Sequence, residues 1–332
     1  MTWLQTHGPD LHQIVLPPCT DMPRPWATPC NVWLVGEGSR RTLVDTGWAS
    51  ARPVLLEALA ELGVAPGQVE RVLLTDLSPR AVGNVDVFPQ ARVAGHDPEG
   101  MCRRWRAFQA AEVASRTLCL QAMLEALEIP AGDPAWGRLE AWGRWWSEGP
   151  ETLEVETPGD RGQVAGPSED FACLVLPGLE TGGVAWSGSQ GGLFGGPLAD
   201  LDVEPMVRSA GTWTASLQRL TTHPCRFLAP AHGSLPRSTD RAARALSLRA
   251  NNLLSNIQYA LDGTWHPAAL RRRDLGLTGG DWLRLVGSSL TWEAVLQELW
   301  RVGVAVREGE GCSARYRIDR TPRTTTERLE RA

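Results

Sequence analysis

A chain of 332 residues with 42% hydrophobic and 21% charged residues has room for one large domain and a smaller one, and its composition excludes fibrous and wholly disordered classes. Every basic side chain is Arg, the formal net charge is −5, and the balance is uneven: residues 1–240 are strongly acidic, whereas residues 241–320 carry a small basic excess. No run of about 20 apolar residues is present, and Met1–Gln5 lacks the basic start of a signal peptide, so the expected location is the cytoplasm, with no membrane partner.

In chain order, residues 31–35 and 41–45 are short apolar runs around Gly36-Glu37-Gly38-Ser39, which predicts a β-hairpin. Residues 50–62 place Val54, Leu55, Ala58, Leu59 and Leu62 on one helical face, and Gly63 ends the helix. Strands are expected at 69–75 and 91–94, giving an α/β order. Residues 98–150 are helical and Trp-rich, the pattern of an inserted cap or of core packing. Strands resume at 152–156, 171–176, 183–187 and 226–229, with a helix over 201–220. The Gly188–Gly196 run has no Lys and reads as a flexible turn, not a phosphate loop. Ser187-Gly188-Ser189-Gln190-Gly191 lacks the first Gly of a nucleophile elbow.

After Ser238, helices at 241–262, 265–273 and 289–302 precede two short strands, 304–308 and 313–318, a winged-helix-like pattern; residues 321–332 read as a frayed tail. The Arg residues of this module would allow phosphate contact, but Glu293 and Glu298 on the third helix argue against base reading. Docking or dimerisation is the favoured role, with nucleic acid the weaker alternative. The seven scattered Cys form no Cys-x-x-Cys pair, which points to buried reduced thiols for most of them and against a disulfide framework or thiolate zinc site.

Thr42–Gly47, with Asp45, resembles the strand end "LIDTG" of the metallo-β-lactamase superfamily, and Thr75–Gly83 is similar to that family's T-H-x-H-x-D-H-x-G loop. Leu176–Val184 resembles its P-G-H-T-P-G-S segment, Trp186–Ser189 its S-G-D segment, and Pro230–Gly233 its last ligand loop. The resemblance implies an αββα sandwich over residues 1–240 and, in one branch, a C-terminal winged-helix-like domain over 241–320.

The family's hydrolysis needs zinc to make hydroxide at neutral pH. In this sequence Asp76, Ser78, Arg80 and Ala81 stand where the resemblance implies four ligands, Leu179 stands at a further His, and Ser189 at the bridging Asp. Only His232 is retained. Arg80 adds a fixed cation where a dication would sit, a repulsion of about 4 kcal/mol per unit charge at ~4 Å and an effective dielectric of ~20. Asp45 is implied as a carboxylate bracing the metal loop; it reads either as a strand-end cap or as an ion-pair partner of Arg80, for which Asp76 is the other candidate.

The leading expectation is therefore a non-hydrolytic pseudoenzyme, without cofactor, that binds a small molecule or a protein. The alternatives are a thioester or ester hydrolase with one zinc on His232, Asp76 and a further His, and a nucleic-acid-associated protein. His96 and His223 otherwise read as surface residues, and His232 as a hydrogen-bonded remnant. A homodimer is a family-level expectation.

Overall fold

The computed structural model describes residues 3–18, 28–38, 40–97, 99–133, 136–137, 149–201, 203, 205, 207–260, 267–274 and 282–318. Two sheets face each other between layers of helices. The first holds six strands in chain order: β1 (Leu4–Gly8), β2 (Leu11–Leu16), β3 (Cys30–Val35), β4 (Arg41–Val44), β5 (Val69–Leu73) and β6 (Arg92–Ala94). Pairing is antiparallel from β1 to β4 and parallel from β4 to β6, with helix α1 (Arg52–Glu61) crossing from β4 to β5. The second sheet runs β11 (Phe227–Pro230), β10 (Gly192–Gly196), β9 (Val184–Gly188), β8 (Asp170–Val175), β7 (Gln163–Ala165).

The layering follows from side chains alternating along each strand. Trp33, Val35, Val44 and Leu73 point between the sheets, where they meet Phe171, Val184, Trp186 and Phe194. Their neighbours Val32, Leu34, Leu43 and Val72 point outward onto Leu55 and Leu59 of α1. On the other side Leu174, Ala185, Leu193 and Leu228 pack under helix α4 (Ala210–Thr222) through Trp213, Leu217 and Leu220. Two indoles also bind across the sandwich: Trp33 Nε1 donates to Pro230 O at 3.0 Å, and Trp186 Nε1 to Leu74 O at 2.9 Å.

The short helix α2 (Pro79–Val82) follows β5, and α3 (Trp105–Ala126) forms the described part of the expected cap. Trp105 is fully buried and donates to Leu77 O, so the start of this segment belongs to the core; Trp142, Trp145 and Trp146 lie outside the described residues. Helices α5 (Thr239–Ala260), α6 (Pro267–Asp274) and α7 (Trp282–Arg301) then precede the hairpin β12 (Ala305–Glu308) and β13 (Arg315–Ile318), the expected order of elements. One apolar cluster runs from Leu174 and Trp213 through Leu246 and Trp292 to Tyr316, joining these helices to the second sheet. Among the described residues no helix is long and apolar enough to cross a membrane.

Several expectations need correction. The β1–β2 hairpin was not legible, because β1 is an edge strand whose central residues are exposed. Residues 152–156 form no strand; Glu156 makes a single bridge to Ala94. The helix expected over 201–220 begins at Ala210. The glycine-rich run is not a flexible turn: Gly192–Gly196 is the strand between β9 and β11. Its glycines serve close packing, since a Cβ on Gly192 would lie 2.4 Å from the Phe227 ring and one on Gly195 would lie 2.7 Å from Ala199 Cβ. Cys30, Cys102, Cys173 and Cys225 are free thiols, in line with the expectation for most of the cysteines, whereas Cys119 is disulfide-bonded.

Candidate functional site

The site lies where β4 and β5 end. Asp45 follows β4 with φ 59°, in the left-handed region that Asp tolerates better than most residues. This turn brings its carboxylate to Thr75 beyond the end of β5: Thr75 N donates to Oδ1 at 2.8 Å, and Thr75 Oγ1 to Oδ2 at 2.7 Å. The chain then enters α2 through Pro79, a residue suited to a first helical turn. Arg80 on α2 returns to the same carboxylate, its Nη1 donating to Asp45 Oδ2 at 2.7 Å. Arg80 Nη2 donates to Asp76 Oδ2 and, at 3.0 Å, to Thr75 Oγ1.

Arg80 is 3% exposed, and both carboxylates are buried. Burial works against a charge on the guanidinium, but Asp45 and then Asp76 outweigh it and hold Arg80 protonated, its pKa above the usual value. The other oxygen of Asp76 accepts from the Ser78 amide at 2.8 Å and from the Ser78 hydroxyl. Both Asp76 oxygens are thus engaged by protein donors.

The loop is fixed from behind. Thr46 N and Oγ1 both donate to Ala81 O, and Asn84 Nδ2 donates to Thr46 O, Gly47 O and Trp48 O at 2.8, 3.2 and 2.8 Å. Gly83 must be glycine: its Cβ would sit 2.6 Å from both Ala49 N and Gly47 O.

Leu179 joins Thr75 and Asp76 in lining one small cavity, together with Gly195, Pro197 and Leu198. Ser189 does not come to the site. It lies on the exposed turn after β9, 3.4 Å from Glu169 Oε2. The segment that returns to the centre is Gly195-Gly196-Pro197 at the end of β10, where a Cβ on Gly196 would strike Thr75 Oγ1 at 2.5 Å. The Ser-Gly-Ser assignment in the sequence was therefore one strand too early.

His232 follows β11, with its Nδ1 2.6 Å from Asp200 Oδ2 and its amide donating to Asp200 Oδ1 at 2.8 Å. No sequence spacing pointed to Asp200. His96 and His223 are half-buried instead of surface residues: His96 Nδ1 is shielded from solvent, and His223 Nε2 lies 3.0 Å from Ser187 Oγ.

A paired-zinc site does not fit these residues. Asp76 is spent on Arg80 and Ser78, Leu179 and Ala81 offer no lone pair, and Arg80 occupies the centre as a cation. Among the described residues no three His, Cys, Asp or Glu side chains converge where they would hold a metal ion, so neither His96 nor His223 completes a set with Asp76 and His232.

Beside Ser78 the wall is charged and was not anticipated from the sequence. Arg116 on α3 pairs with Glu180 at 2.8 Å, and Arg208 pairs with Glu112. Burial pushes the Glu180 carboxyl up, against the pull of Arg116, and lowers the Arg208 guanidinium to about 10. Together with Leu77, Gln109 and Thr181 these groups form a polar recess next to the Arg80 centre.

Residues 25–75 match the sequence profile of the metallo-beta-lactamase superfamily. Metallo-beta-lactamase domain-containing protein 1 of Rattus norvegicus is 44% identical over 70 residues, covering 18% of this chain and 28% of the rat protein. The Mus musculus protein of the same name is 38% identical over 96 residues, covering 24% of this chain and 37% of its own length. The chain thus matches about a third of the length of these curated relatives. A metallo-beta-lactamase family protein from Thermus thermophilus superposes with a TM-score of 0.72 at 22% identity, covering 95% of this chain and all of the other. The fold is that of the metallo-β-lactamase superfamily, and the profile, the curated relatives and the solved structures all support that assignment.

Proposed function

We propose that this chain is a non-hydrolytic member of the superfamily, a binder or scaffold in which the Arg80 guanidinium takes the structural place of the metal. The single observation that carries this reading is the buried Arg80 between Asp45 and Asp76. In the family, carboxylates of this kind brace or bind a dication. In this chain a side chain supplies the positive charge, so the loop between β5 and α2 is organised without an ion. A guanidinium has no exchangeable site for water and cannot lower the pKa of a water molecule as a Lewis acid does. The chemical consequence is a pocket with its backbone shape intact and no nucleophile of the family type.

A second reading rests on His232. Its Nδ1 is held by Asp200, the way metal-binding imidazoles are commonly oriented, which leaves Nε2 for a ligand. On that reading the chain is an atypical thioester or ester hydrolase. Hydrolysis of acyl thioesters and phosphodiesters, assayed with zinc added, separates the two. The binder reading expects no turnover above a His232→Ala control; turnover that His232→Ala abolishes contradicts it. For residues 241–320 the reading is a winged-helix-like docking module, and for the whole chain a cytoplasmic location.

A further inference from the structure

The outer face of the second sheet carries a cleft of about 440 Å³ lined by Arg161, Cys173, Ser187, Arg219, His223 and Pro224. It is separate from the Arg80 centre. His223 precedes β11 and His232 follows it, so the cleft and the centre lie beyond opposite ends of a strand about 13 Å long. We propose that this cleft is a binding site for a phosphate monoester, whose dianionic group is held by Arg161, the Ser187 hydroxyl and the His223 imidazole.

The charges of the cleft are specific in arrangement. Arg219 is committed: it donates to both oxygens of Asp160 at 2.8 Å and to Val175 O at 2.7 Å. Asp160 is thereby neutralised and also caps the Val175 amide at 3.0 Å. Arg161 is different. It is exposed and makes no ion pair among the described residues. Its backbone is pinned in the left-handed region, φ 64°, with its amide donating to Cys173 O at 2.7 Å. Such a conformation is strained in a residue other than glycine and recurs at ligand clamps.

Arg161 and His223 line one cavity. Burial, and then the Arg161 charge, keep the imidazole pKa below its ordinary value, so His223 is neutral in the empty cleft at pH 7. An anion seated between them reverses that balance. In the empty cleft His223 Nε2 lies 3.0 Å from Ser187 Oγ. A protonated ring donates to that oxygen and frees the hydroxyl hydrogen for the anion beside the two cations, an arrangement that suits a tetrahedral dianion better than a planar carboxylate. Ala172, Leu174 and Pro224 supply an apolar wall for the organic part of the ester. Binding therefore draws a proton onto His223.

The test is an NMR titration of the His223 ring in the full chain, with phenyl phosphate as the probe and inorganic phosphate and sodium chloride as controls. The signal is identified by its loss in His223→Gln. The expected result is a saturable rise of the His223 midpoint by about one unit, equivalent to tenfold tighter binding to the protonated ring. Phenyl phosphate should bind more tightly than inorganic phosphate, and Arg161→Gln should weaken it about tenfold or more. An equal response to chloride at matched ionic strength, no response to phenyl phosphate, or unchanged binding in Arg161→Gln would each overturn the proposal.

Discussion

Arg80 Nη1 lies 2.7 Å from Asp45 Oδ2, and the two side chains are each only 4% exposed. They come from different elements, Arg80 from α2 and Asp45 from the turn after β4, and Asp76 closes the group from the loop between. The group binds three segments of the first half of the chain through one cation. Buried charges of this kind are held by geometry and hydrogen bonds, and removing one partner strands the rest.

Arg80→Met should therefore cost about 3–5 kcal/mol of stability, because it leaves two carboxylates buried without a counter-charge. The triple variant Arg80→Met, Asp45→Asn, Asp76→Asn removes all three charges and should recover most of that loss. Urea denaturation of both variants checks this. A triple variant no more stable than Arg80→Met would show that shape, not charge, dominates.

Asn84 closes the loop without any charge. Asn84→Ala deprives Thr46 O and Trp48 O of donors at 2.8 Å in a fully buried position. At roughly 1–3 kcal/mol per unsatisfied group, the expected loss for the two carbonyls is about 2–6 kcal/mol. A thermal midpoint unchanged from the parent would contradict this account of the loop.

How much of this was legible follows from the range of the signals. Asp45, Gly47, Thr75 and Gly83 sit in short contiguous motifs whose geometry depends on neighbours a few residues away, and the structure brings Asp45, Thr75, Asp76 and Arg80 together. Ser189 was misassigned because Ser187-Gly188-Ser189 imitates locally what Gly195-Gly196-Pro197 does in space; only the order of β9 and β10 separates them. Asp200, Glu180 and Arg116 left no trace in the sequence, since each meets a partner 32 to 64 residues away through a side chain alone. Gly192 and Gly195 read as turn residues because a sequence does not distinguish a glycine that must bend from one that must leave room.

Glu293 gives the clearest dependence on pH. It is buried on α7, its Oε1 accepting from the Tyr316 hydroxyl at 2.7 Å and from Gln297 Nε2 at 2.8 Å, while Oε2 is shielded from solvent without a partner among the described residues. Burial raises its pKa above the ordinary 4.5, against the pull of those two bonds. A raised carboxyl pKa contributes stability that is full below the unfolded value and is lost as pH rises through the folded one. Glu293→Gln keeps the Oε1 acceptor and removes the titration. Its stability advantage over the parent should therefore be larger at about pH 8 than at about pH 5, as read by chemical denaturation. An equal difference at both pH values would contradict the raised pKa.

The most direct test of the central claim, that Arg80 stands where the family holds a metal, is zinc content by elemental mass spectrometry. The protein is purified without tag or chelator and measured before and after incubation with zinc. The account predicts far less than one zinc per folded chain in both samples, with His232→Ala no different. Near-stoichiometric zinc that disappears in His232→Ala would contradict it.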